Sequence, residues 1–232
     1  MTGGRRWRGA LLLSGKFGGF AMIHPVVIII SIFAVIIVSA LGTALIRRRI
    51  FTRTYSALMT RDYPAFFREV DSKGMMSMFP EYVRDNLKLT AYMEMKDSGK
   101  VTETFNRMMK DGADDARKGD LLVRGFQYFS GEKDRKKVRK ILEKMEQVMD
   151  RDISEKYRRH YEILFERSGK YIPELEKEVP LHQNRMKGYL QFLLARSYRN
   201  AGREKECLPL LKQAAAEYHV TAGELESVVR VL

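Results

Sequence analysis

The stretch LLARSYRNAGREKECLPLLKQAAAEY, residues 193–218, reads as a helix, a break at Ala201–Gly202 and a second helix. Leu190, Leu193, Leu194, Tyr198 and Ala201 recur at spacings of three and four, which gathers them on one side of the first helix. Gly202 stands where glycine commonly ends a helix. A helix with one apolar side must bury it against a neighbour, so the natural unit here is a helical pair.

The same break recurs outward from this stretch. TRDYPAFF, DSGKVTETF, SGEKDRKKV, SGKYIPEL and AGREKECL each close one apolar-periodic segment and open another. With Arg61, Gly99, Gly131, Gly169 and Gly202 as equivalent points, the steps are 38, 32, 38 and 33 residues. A period in the thirties is the signature of stacked helix pairs. Val138, Ile141, Leu142, Met145, Val148 and Met149 form one stripe after Gly131. Thr221 and Glu224 have capping-box spacing, which predicts a last helix through Leu225, Val228, Val229 and Leu232 that seals the stack. Residues 50–232 therefore read as all-α, without the alternation of strands.

At these positions the chain resembles a degenerate tetratricopeptide repeat (TPR). Leu194, Ala195, Tyr198, Gly202, Cys207, Leu211 and Ala214 stand where that family keeps apolar, small, aromatic, glycine, small, bulky and alanine residues. TRDYPAFFREVD, residues 60–71, looks like the second helix of another unit, with Tyr63 and Phe66 at packing positions. The pattern departs from the family in lacking a tryptophan near the repeat start and a closing proline in the last unit. Pro209 lies inside that unit's second helix, and the register slips around Gly131. The resemblance implies an α-solenoid whose concave groove takes a protein or peptide. It would place Tyr189, Phe192, Arg196, Arg199 and Asn200 on that groove, joined by Lys156, Arg159 and Arg167 from the preceding unit. A set this cationic predicts an acidic segment as partner.

Towards the N-terminus the composition changes. Between Lys16 and Arg47 there is no formal charge, and Pro25 to Ile46 is almost wholly apolar. At about 1.5 Å per residue those residues give a helix of roughly 33 Å, matched to a hydrocarbon core of about 30 Å. The run VVIIISIFAVIIV has no polar side to turn toward water. Val38–Ser39–Ala40 would suit a signal-peptide cleavage, but the apolar run exceeds the roughly 7–15 residues of a signal core, so an uncleaved anchor is expected. Arg47, Arg48 and Arg49 touch its edge directly, and this places residues 47–232 in the cytoplasm.

Charge follows the same division. Net charge is +13, and residues 1–49 hold seven basic side chains and no acid, leaving +6 for the remainder. The excess is concentrated beside the apolar run, which points to membrane topology and makes nucleic acid an unlikely partner. The basic run Lys133–Lys140, near Phe126, Tyr128 and Phe129, is the best nucleic-acid feature, and core packing competes for those rings.

Catalytic chemistry is not suggested. His24, His160, His182 and His219 are widely separated, and Cys207 is the one cysteine, expected as a packed core residue. DGADD, residues 111–115, lacks the alternating ligands of a calcium loop and reads as a turn. No cofactor is expected. The organisation expected is a basic tail 1–19, a transmembrane helix 20–46, a TPR-like domain 47–220 and a capping helix 221–232. The function expected is that of a single-pass, membrane-anchored adaptor that is not an enzyme. A non-catalytic subunit of a membrane enzyme complex is the alternative, or a membrane-tethered binder of nucleic acid or anionic lipid.

Overall fold

The structure is a computed structural model that describes residues 20–110 and 115–229. Among them the regular elements are all helical: α1 Phe20–Met59, α2 Tyr63–Val70, α3 Lys73–Met78, α4 Glu81–Glu94, α5 Ser98–Lys110 and α6 Asp115–Gly131. There follow α7 Arg135–Val148, α8 Arg151–Phe165, α9 Ile172–Glu178 with a 3-10 turn Val179–Leu181, α10 Asn184–Asn200, α11 Glu204–Tyr218 and α12 Leu225–Val228. The basic tail 1–19, most of DGADD and the end of the expected capping helix lie outside the described residues. The chain forms two compact units, Met1–Lys88 and Leu89–Leu232.

The first unit is organised by α1. Its 40 residues, about 60 Å at the ordinary helical rise, carry the apolar run and continue past the arginines without a break. Ile30, Ile32, Phe33 and Val35 are exposed on different sides of this helix, which is long and apolar enough to cross a membrane. Beyond Arg49 the same helix becomes amphipathic and buries Thr54 and Leu58. Helix α2 starts where the Asp62 carboxylate accepts from the Ala65 amide, and it buries Phe66 and Val70. Ser72 caps α3 in the same way. Helix α3 then lies so close to α1 that a Cβ on Gly74 would come within 3.0 Å of the Ile50 side chain. Each fully buried apolar side chain contributes about 1.5–3 kcal/mol, so Leu58, Phe66, Val70 and Met75 suffice to hold α2 and α3 on α1.

In the second unit α10 is central. It packs on α8, α9 and α11, and every residue from Gly188 to Ala195 is buried. Gly188 permits that crowding, because a Cβ there would stand 2.8 Å from the Glu217 Cβ of α11. Gly125 does the same in α6: an added Cβ would meet the Phe105 ring at 2.5 Å and Ile141 at 3.2 Å. Helix α7 buries Val138, Ile141, Leu142 and Met145, four of the six stripe positions, and leaves Val148 and Met149 half-buried. Phe126 and Phe129 are also buried, so these rings serve packing and do not offer a stacking platform.

Five of the turns between helices carry a left-handed residue, and only one of these is a glycine. Left-handed backbone occurs at Arg61, Lys96, Lys133, Arg167 and Gly202, in steps of 35, 37, 34 and 35 residues. Gly99 and Gly131 lie within α5 and α6 instead. Lysine and arginine accept the left-handed region at a cost of about 1–2 kcal/mol, so glycine is a poor marker of the turn. In four cases the next amide bonds the carbonyl five residues back: Asp62 to Ala57, Asp97 to Tyr92, Asp134 to Phe129 and Arg203 to Tyr198, all at 2.8–3.0 Å. The carboxylates of Asp62, Asp97 and Asp134 then cap the following helix. Seven residues before each left-handed position stand Thr54, Leu89, Phe126, His160 and Ala195; five after stand Phe66, Val101, Val138, Ile172 and Cys207. All ten are buried. Two further left-handed residues, Asn184 and His219, mark the start of α10 and the end of α11.

Candidate functional site

The residues expected on a groove divide into three groups. Tyr189 and Phe192 are core residues at 0% and 2% exposure, which corrects their expected place on an open surface. The cause is the position of α10 between α8, α9 and α11, which covers sides that a helix with fewer neighbours would leave open. The Tyr189 hydroxyl lies 3.3 Å from His160 Nδ1, and the two rings stack at 6.0 Å. Phe126 and Tyr157 close the cluster, with Phe126 edge-on to both His160 and Tyr157. Burial lowers the His160 pKa to about 3 and raises that of the Tyr189 phenol, so both are neutral in ordinary buffers.

The second group consists of cations and an amide already engaged within the chain. Arg159 is buried and donates to Glu174 at 2.7 Å and to Glu178 at 2.6 and 3.3 Å. Burial by itself disfavours its charge, but the two carboxylates outweigh that and raise its pKa. It therefore ties α8 to α9 and is not presented to a partner. Asn200 donates to the Ile163 and Ser168 carbonyls, joining α10 to the end of α8. Arg196 pairs with Glu226 of α12 at 2.6 Å.

The third group remains open. Arg199 and Arg167 are exposed, on elements that the Asn200 bridge holds together. Arg199 makes one long ion pair with Glu204, at 3.7 Å. Lys156 is half-buried and lies along α8, on an open polar cleft of about 620 Å³ that also includes Arg159, Glu162, Lys170, Glu174 and Glu178. In this cleft burial would raise the Glu162 pKa, but hydrogen bonds from Lys170 and Tyr171 prevail and lower it. Within the cleft Arg159 pairs with Glu174 and Glu178, and Lys170 with Glu162, which ties its helices together.

Sequence reasoning expected α12 as a cap but missed its ion pairs. The carboxylate of Glu226 faces Arg196 of α10 and Lys133 of the α6–α7 turn, at 2.6 and 3.8 Å. The Arg196 guanidinium in turn lies 5.6 Å from the centre of the Phe192 ring. Leu225 beside it is 1% exposed. Thr221 and Glu224 do form the expected capping box, with Thr221 N–H donating to the Glu224 carboxylate at 3.1 Å and Glu224 N–H to the Thr221 hydroxyl at 3.3 Å. The capping box was legible; what the helix would land on was not.

In the first unit, Arg48 and Arg49 are exposed, while the Arg47 guanidinium lies 4.9 Å over the Phe79 ring and Phe79 meets Phe51 at 5.8 Å. Arg53, one turn on, pairs with Glu69 at 2.6 Å. Two of the four cations that follow the apolar run are thus fixed by side chains of this unit. Among the described residues no cluster of His, Cys, Asp and Glu is arranged to hold a metal, and Cys207 is buried. No protein-family model, no curated protein and no solved structure matches this chain.

Proposed function

We propose that this chain is a membrane-tethered adaptor of stacked, TPR-like helical pairs that docks an acidic protein segment. The observation that carries the reading is the recurrence of one turn, with left-handed backbone every 34–37 residues and buried side chains at fixed distances on both sides. A repeated supersecondary unit that buries its neighbour's face is how helical-repeat proteins build extended binding surfaces. Binding at such a surface requires no reacting groups.

The preference for acid rests on charge. Residues 50–232 carry +6, and Lys136, Lys140 and Lys144 are exposed along one side of α7. Arg167, Arg199 and Lys156 add exposed or half-exposed cations on α8, α10 and the turn between α8 and α9. The groove reading is therefore kept for these three and withdrawn for Tyr189, Phe192, Arg159 and Asn200, which serve packing. The apolar part of α1 is the tether, and its uninterrupted passage into the buried turn around Thr54 leaves no hinge between bilayer and first unit. The three arginines after the run support a cytoplasmic location for residues 47–232.

The test is crosslinking in native membranes followed by capture of the full chain and of a Lys156→Glu/Arg167→Glu/Arg199→Glu variant. A partner with an acidic segment is expected with the wild-type chain and lost with the variant, in a salt-dependent way. Identical recovery with both chains would remove the docking assignment.

A further inference from the structure

We infer that the surface where Arg196 and Lys133 meet, beside α11, accepts a short leucine–glutamate segment, and that the chain's own Leu225–Glu226 occupies it until a partner segment of the same chemistry takes its place. This rests on the adaptor reading and names the chemistry of its ligand.

Three features of the C-terminal segment support it. Glu226 is met by cations from two separate elements, Arg196 at 2.6 Å and Lys133 at 3.8 Å, so the acceptor is a pair of cations. The Phe192 ring backs Arg196 at 5.6 Å and holds the guanidinium toward the carboxylate. A planar donor held this way suits a carboxylate better than a mobile lysine alone would.

Next, among the described residues from Thr221 to Val229, Leu225 is the fully buried side chain, at 1% exposure, while Thr221, Ala222, Gly223, Glu224 and Glu226 are exposed and Val229 is half-buried. One apolar anchor with a neighbouring charge in an otherwise solvated peptide is the pattern of a docked linear segment. Val228, one turn after Leu225, is 37% exposed.

Finally, the capping box of Thr221 and Glu224 closes the turn before Leu225, so the segment presents its anchor without much further ordering. A single anchor and a part-exposed ion pair are a weak hold, kept in place by the covalent link that gives the segment a high effective concentration. A free segment with the same two groups and additional contacts of its own can exchange with it.

The probe is a fluorescent peptide of residues 219–229, HVTAGELESVV, titrated against the full chain in detergent micelles and followed by anisotropy. Wild-type protein, with the face occupied, is expected to bind weakly. The Leu225→Ala/Glu226→Gln chain, with the face vacated, is expected to bind about tenfold or more tightly, since apparent affinity scales with the vacant fraction. Glu226→Gln alone should give a smaller gain. Adding Arg196→Glu to the double variant should abolish binding.

Equal binding to wild type and double variant, or binding that survives Arg196→Glu, overturns the inference. Loss of helical circular dichroism in the double variant also overturns it, because a replaceable segment is not needed for folding. If the peptide fails while the Lys156/Arg167/Arg199 variant still loses a captured partner, the adaptor reading stands and this one falls.

Discussion

His160 makes stability depend on pH in a window where carboxylates contribute little. Its imidazole is fully buried against Tyr189 and Phe126, and its folded pKa near 3 lies below the ordinary 6.5. Between those values the unfolded chain binds a proton that the folded chain excludes, so stability is complete above pH 6.5 and is lost as pH falls. Each pH unit below 6.5 costs about 1.4 kcal/mol, which makes the loss at pH 5 about 2 kcal/mol. The carboxylates held below their usual range, Asp134, Glu162, Glu206 and Glu224, act in the same direction. Their unfolded values are 3.8 for aspartate and 4.5 for glutamate, so most of their loss comes at lower pH.

The assay is urea unfolding of the full chain in nonionic detergent, followed by far-ultraviolet circular dichroism at pH 7 and pH 5. His160→Phe combined with Tyr189→Phe removes both polar partners while keeping two rings, which avoids leaving a buried hydroxyl unpaired. The wild-type chain should lose about 2 kcal/mol between the two pH values, and the double variant should lose much less. An equal loss in both chains, or an imidazole that titrates near 6.5 in the folded protein by NMR, would refute the reasoning.

Gly125→Ala places a Cβ 2.5 Å from the Phe105 ring and should destabilise by about 1–3 kcal/mol, seen as a drop in Tm of roughly 2–4 °C per kcal/mol. Lys96→Gly removes a side chain from a left-handed residue and should raise stability by up to about 1 kcal/mol; a loss would contradict that turn geometry. Asp134→Ala removes the carboxylate that accepts from the Lys137 amide and should cost about 1 kcal/mol in urea unfolding. Buried Cys207 should resist a membrane-impermeant thiol reagent in the native chain, whereas Gln147→Cys, at an exposed site on α7, should label only after permeabilisation. Labelling of intact cells would place the helical units outside.

The helices were legible in the sequence because burial of one side leaves a three-and-four spacing that needs no partner to be seen. The stripe on α7 and the capping box at Thr221 both appear in the structure. The register of the turns was less legible. Glycine was the visible signal, yet the left-handed residues are Arg61, Lys96, Lys133 and Arg167 as well as Gly202. The informative sign was the acid that follows at Asp62, Asp97 and Asp134, which caps the next helix. The groove residues were least legible, because a position within a repeat does not tell how many neighbours a helix will have.

The sequence by itself determined that the chain is helical, that residues 25–46 are long and apolar enough to cross a membrane, and that its positive charge is concentrated beside that run. These are properties of local composition and periodicity, which act before any long-range contact forms. Tertiary structure alone decided which cations remain available. Arg159 is taken up by Glu174 and Glu178, Arg196 by Glu226, and Tyr189 and Phe192 by the core around α10. An ion pair or a buried ring depends on which elements meet, and residues as far apart as Lys133 and Glu226 meet only when the helices pack.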